Sequence, residues 1–83
     1  MTTREAIIEF ITKHDDPDYP FKAGYLSSKF LDQLVEEEGT LATPIIIGGF
    51  PFTHDPKLDE DGVGIEMVRI PFGIDEKLEW RYK

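Results

Sequence analysis

Apolar residues recur at helical spacing near the start of the chain. Ala6, Ile7, Phe10, Ile11 and His14 fall on one side, while Arg4, Glu5, Glu9, Thr12 and Lys13 mostly take the other. Thr2 and Glu5 stand in the T-x-x-E spacing of a capping box, so the pattern predicts a helix over Thr3–His14. The run Asp15-Asp16-Pro17-Asp18-Tyr19-Pro20 reads as a turn, because each proline biases the residue before it away from helix. Pro20 can open a short helical turn through Ala23, and Gly24 weakens any continuation to Leu26. Ser27 or Ser28 then caps a second helix whose apolar stripe is Leu26, Phe30, Leu31, Leu34 and Val35, with Gly39 as its stop. Ser28, Lys29, Asp32, Gln33, Glu36 and Glu37 are left on its outer side.

Beyond Gly39 the periodicity changes. Thr43-Pro44-Ile45-Ile46-Ile47 is a β-branched run that reads as a strand beginning at Pro44, and Gly48-Gly49 bends it before Phe50-Pro51-Phe52. Thr53 to Gly64 reads as a polar loop, and Ile65 to Ile70 as a second strand stopped by Pro71 and turned at Gly73. Leu78, Trp80 and Tyr82 alternate with charged residues, which predicts a third strand; Asp75 to Trp80 also allows a helical turn. Tyr19-Pro20-Phe21, Phe50-Pro51-Phe52 and Ile70-Pro71-Phe72 share an apolar-Pro-Phe pattern without regular spacing, so no repeat is implied. Proline at element ends with Phe in the core is the expected reading, and an exposed aromatic patch for a partner is the alternative.

The expected fold is α+β, one small domain over residues 1–83, with two principal helices followed by a small antiparallel sheet of two to three strands. This helix–helix–hairpin order resembles a winged-helix domain, and the resemblance implies that Leu26 to Val35 would be a DNA-reading helix. Charge argues against that role. Glu36, Glu37 and Glu38 crowd the negative end of the second helix's dipole, a placement worth about 0.3–1 kcal/mol of destabilisation per exposed charge. Asp32, Glu36 and Glu37 oppose one lysine and one glutamine on the outward positions, where base and phosphate readers carry Arg, Lys, Asn or Gln.

Net charge carries the point across the whole chain. Nine basic and seventeen acidic residues give −8. Residues 1–43 hold four basic and nine acidic groups and residues 44–83 hold five and eight, so the acidity is not confined to a tail. Nucleic acid and anionic membrane surfaces are poor partners for such a surface, and basic proteins are better ones. At 40% hydrophobic and 12% aromatic the chain can fold, but its core is small enough that a homodimer or a bound partner would add to stability. There is no cysteine, no signal-peptide core after Arg4, and no apolar run near the roughly 20 residues of a membrane helix. A cytoplasmic protein without a membrane span is expected.

No constellation predicts catalysis, a cofactor or a metal. Setting Gly62 at position 6 of an EF-hand loop puts Asp59 and Asp61 at positions 3 and 5, but it puts Lys57 at position 1 and Val68 at position 12. His14 and His54 are too far apart in sequence for a zinc pair, and His54 beside Asp55 has no nucleophile tied to it by spacing. Asp15, Asp16 and Asp18 with Glu60 or Asp61 would need a cleft to act as an acid–base pair. Gly48-Gly49 lacks a phosphate-loop pattern. The expected function is therefore a small acidic interaction, inhibitor or regulatory protein of the kind made by phages or mobile elements. It would meet a basic protein, nucleic-acid-binding proteins being one candidate class, through Asp32, Gln33, Glu36 and Glu37, joined by Asp59, Glu60 and Asp61. The alternative is a winged-helix-like DNA-binding transcriptional regulator. The same acids would also serve solubility alone.

Overall fold

The computed structural model describes residues 1–69 and 76–81. Capping sets the first two helices. α1 (Thr3–Lys13) starts at Thr2, whose hydroxyl accepts from the Glu5 amide while the Glu5 carboxylate accepts from the Thr2 amide. α2 (Ser28–Glu38) starts at Ser27, whose Oγ accepts from the Phe30 amide at 3.2 Å, and it stops at Gly39, where φ is 84°. Between the two helices lies β1 (Phe21–Leu26). After α2 come β2 (Ile45–Ile47), β3 (Phe50–His54), α3 (Lys57–Asp61), β4 (Val63–Arg69) and β5 (Glu76–Arg81).

The five strands form one mixed sheet in the order β2-β3-β1-β4-β5. β1 runs parallel to β3, and the other neighbouring pairs are antiparallel. This overturns the expected layout of two helices followed by a two- to three-stranded antiparallel sheet, and with it the winged-helix-like arrangement. A strand precedes α2, so α2 belongs to the crossover that carries the chain from β1 to its parallel neighbour β3. It is a connecting helix packed on a sheet.

β1 replaces the turn expected over Pro20–Ala23, and two local features hid it. Register passes from Phe21↔Arg69 to Ala23↔Val68, so Lys22 is an extra, bulged residue that breaks the alternation. Gly24 sits at the centre of the sheet because a Cβ there would lie 2.4 Å from Cε2 of Phe52. The expected Thr53–Gly64 loop is likewise mostly ordered: Thr53 and His54 finish β3, α3 follows, and Val63 and Gly64 open β4. Gly62 ends α3 in the left-handed region at φ 71°. Strand β2 begins at Ile45, one residue after Pro44, whose peptide bond with Thr43 is cis. β5 is a strand as alternation predicts, so Glu76–Trp80 is no helical turn. The expectations for Ile70, Pro71, Phe72, Gly73, Asp75 and Tyr82 lie outside the described residues.

Register sorts the two faces of the sheet. Phe52, Gly24, Met67 and Leu78 form one cross-strand row, and Leu26, Ile65 and Trp80 the next. These side chains meet Ile7 and Ile11 of α1 and Phe30 and Leu34 of α2 in a single core, so both helices cover this face. Phe30 and Phe10 pack on Trp80, the former edge-on at 5.2 Å and the latter stacked at 5.7 Å. The row Thr53, Tyr25, Glu66, Glu79 points the other way. α3 packs near the starts of α2 and β4 and buries Leu58.

Candidate functional site

The acidic end of α2 meets the start of α1. The first amides of a helix have no partner inside it, and the dipole makes that end positive. The Glu37 carboxylate accepts from the Thr3 amide at 2.9 and 3.2 Å, and Gln33 Oε1 accepts from the Thr3 hydroxyl at 3.2 Å. Glu38 holds Arg4 in a two-point pair, with Nε and Nη2 each donating at 2.9 Å. The third arm of Arg4 donates to the Ile46 carbonyl on β2 at 2.7 Å. The Arg4 hydrogen bond is the main cause that lowers the Glu38 carboxyl below its ordinary pKa, with Coulomb attraction adding to it and desolvation opposing it. Glu37 and Glu38, misplaced for their own helix, thus clasp α1 and an edge strand.

The start of α2 receives a carboxylate in turn. Asp59 of α3 accepts from the amides of Ser28 (3.2 Å) and Lys29 (3.4 Å), beside the Ser27 cap on Phe30. At the same point Ser28 Oγ lies 2.8 Å from His54 Nε2, brought there by the end of β3. Sequence spacing offered no nucleophile for His54, because twenty-six residues separate the pair. The distance suits a nucleophile and its base. The amides of Ser28, Lys29 and Phe30 are already satisfied, however, so the helix start presents no free pair of donors to receive an oxyanion. Asp55 does not complete a triad by its observed bond: its Oδ1 accepts from the Lys57 amide at 3.0 Å.

The seven residues expected to meet a partner therefore divide. Gln33, Glu37 and Asp59 make hydrogen bonds within the fold. Asp32, Glu36, Glu60 and Asp61 are exposed. Asp32 and Glu36 stand one turn apart on the side of α2 opposite buried Phe30 and Leu34, with Val35 beside them at 43% exposure. Their carboxylates make no hydrogen bond or ion pair among the described residues.

A second surface feature had no sequence signal beyond the helical stripe that placed Phe10 and His14 together. It is a groove of about 380 Å³ beside α1, lined by Met1, Ala6, Phe10, Lys13, His14 and Trp80 among others. The His14 ring lies 4.7 Å from that of Phe10, and its carbonyl accepts from Arg69 Nη2. Among the described residues no group of three or more His, Asp or Glu side chains is placed to hold a metal ion. No helix there is long and apolar enough to cross a membrane. No family model matches the chain, and no curated protein or solved structure matches it significantly.

Proposed function

We propose that this protein is a small acidic interaction module, acting as an inhibitor or regulator, that presents the outer face of α2 to a basic protein. The contact surface is Asp32, Val35 and Glu36, extended by Glu60 and Asp61 of α3. One observation carries the reading: Asp32 and Glu36 are exposed around a half-exposed valine and pair with nothing among the described residues, while the neighbouring acids Glu37, Glu38 and Asp59 are held in internal bonds. An apolar centre with a charged rim is the anatomy of a protein contact, and the acids would steer a basic partner and reject DNA. The absence of cysteine suits a reducing, cytoplasmic setting. A nucleic-acid-binding protein, approached on its basic face, is the partner class that fits this charge.

Immobilised protein is exposed to host lysate and, separately, to duplex DNA at low and at near-physiological salt. The expected result is a basic protein retained more strongly at low salt, and no DNA. The double substitution Asp32→Lys, Glu36→Lys should abolish retention, while Glu9→Lys on α1 should leave it intact. DNA held at near-physiological salt, or a partner indifferent to the α2 reversal, overturns the reading.

A further inference from the structure

The two edges of the sheet are unequal. β2 is three residues long, and Arg4 occupies its Ile46 carbonyl. Short edges and side chains on the edge backbone discourage further strand pairing. β5, at the opposite edge, is six residues long, and no strand among the described residues pairs with its outer side. It is also electrically balanced, with Glu76 and Glu79 against Lys77 and Arg81, in a chain whose net charge is −8. Self-association meets little net repulsion there. Trp80 of the same strand also lines the groove beside α1.

The geometry points to a homodimer formed by antiparallel pairing of β5 with β5 of a second copy, joining two sheets into one of ten strands. Two-fold symmetry requires one residue to stand opposite its own copy. Centring on Leu78 sets position 77 of each copy opposite position 79 of the other, and the sequence supplies Lys77 and Glu79 there. Opposite charges are thus paired twice. Centring on Glu79 would instead oppose Glu79 to itself and Lys77 to Arg81, and like charges directly opposite destabilise a sheet. Centring on Trp80 also opposes Glu79 to Arg81 twice but overlaps only three residues of β5, against five for Leu78, so strand overlap and charge together select the Leu78 register. Arg81 of this strand donates to the Asp61 carbonyl at 2.8 Å, so the edge adjoins the α3 end of the proposed contact surface. Lys77, Leu78 and Glu79 are not part of that surface, and the two readings are tested by different substitutions.

Analytical ultracentrifugation of the full chain at near-physiological salt should find a dimer. Lys77→Glu or Glu79→Lys alone sets like charges opposite at both contacts and should weaken it about tenfold. An equimolar mixture of the two variants restores both pairs and should dimerise like the parent. The chain has no cysteine, so Lys77→Cys and Glu79→Cys copies mixed under mild oxidation should cross-link with each other in preference to themselves. A monomeric parent overturns the proposal. So does a dimer unaffected by both reversals, or cross-linking without that preference.

Discussion

At its start α2 receives a carboxylate from another element, and at its end it sends two carboxylates out. Asp59 reaches in from α3 to amides that have no helical partner, a placement in which charge, dipole and hydrogen bonding agree. Glu37 and Glu38 sit where the dipole of their own helix opposes them, yet Glu37 ends on the positive start of α1 and Glu38 on Arg4. A dipole penalty of about 0.3–1 kcal/mol is offset by charge-assisted bonds to backbone or guanidinium, each worth roughly 1.5–3 kcal/mol at most and less where solvent reaches. What matters is the helix end that the carboxylate touches. The helix that carries the residue is secondary.

Glu37→Lys should break this arrangement most. By the rule of its own helix the change adds a favourable cation to the last turn of α2. By the contact with Thr3 it removes the acceptor and sets a cation on the positive start of α1. We expect the second effect to win by about 1–3 kcal/mol, read as a lower urea midpoint with an unchanged slope. A gain in stability would mean that the clasp on α1 contributes nothing.

Asp59→Ala tests the other end and should cost about 1 kcal/mol. Ser27 still caps Phe30 in that variant, so the start of α2 keeps part of its satisfaction. The fall should appear in thermal unfolding monitored by circular dichroism. If Asp59→Ala proves more damaging than Glu37→Lys, the order of the two ends is reversed.

The helices were legible in the sequence because their signals are local. The capping box Thr2–Glu5, the Ser27 cap and the Gly39 stop all act within a few residues. β1 was not legible, because the bulge at Lys22 breaks its period and Gly24 answers to Phe52, which lies twenty-eight residues away in a parallel neighbour. Without β1 in view, the order of elements places the connecting helix where a winged-helix domain has its reading helix. The glutamates stood out as a local conflict, and such a conflict is a sign of a tertiary contact. Sequence alone does not distinguish a contact inside the fold from one outside it, and by sequence Glu37 groups with Asp32 and Glu36.

Glu38→Gln is a smaller perturbation, since the amide can still accept from Arg4. The pair is partly exposed, so its loss should cost under about 1 kcal/mol and shrink as salt rises. Its pH dependence has a definite sign. The folded carboxyl lies below the ordinary glutamate value of about 4.3, so the pair's contribution is complete above that pH. It disappears as pH falls through the depressed folded value. The stability gap between parent and Glu38→Gln should therefore close in acid, and a gap that widens there would assign the effect to another group.

Glu36→Lys should change stability least, and in the opposite direction from its neighbour. Glu36 shares the unfavourable dipole end but has no hydrogen bond or ion pair among the described residues to offset it. Reversing its charge should stabilise the fold by about 0.3 kcal/mol, near the limit of a paired denaturation measurement. Adjacent residues of one type would then give opposite signs, loss at Glu37 and gain at Glu36. An acid retained where the fold is better without it is the mark of a residue kept for a contact outside the fold. If Glu36→Lys destabilises the protein, Glu36 belongs with the internal clasp, and the contact surface on α2 contracts to Asp32 and Val35.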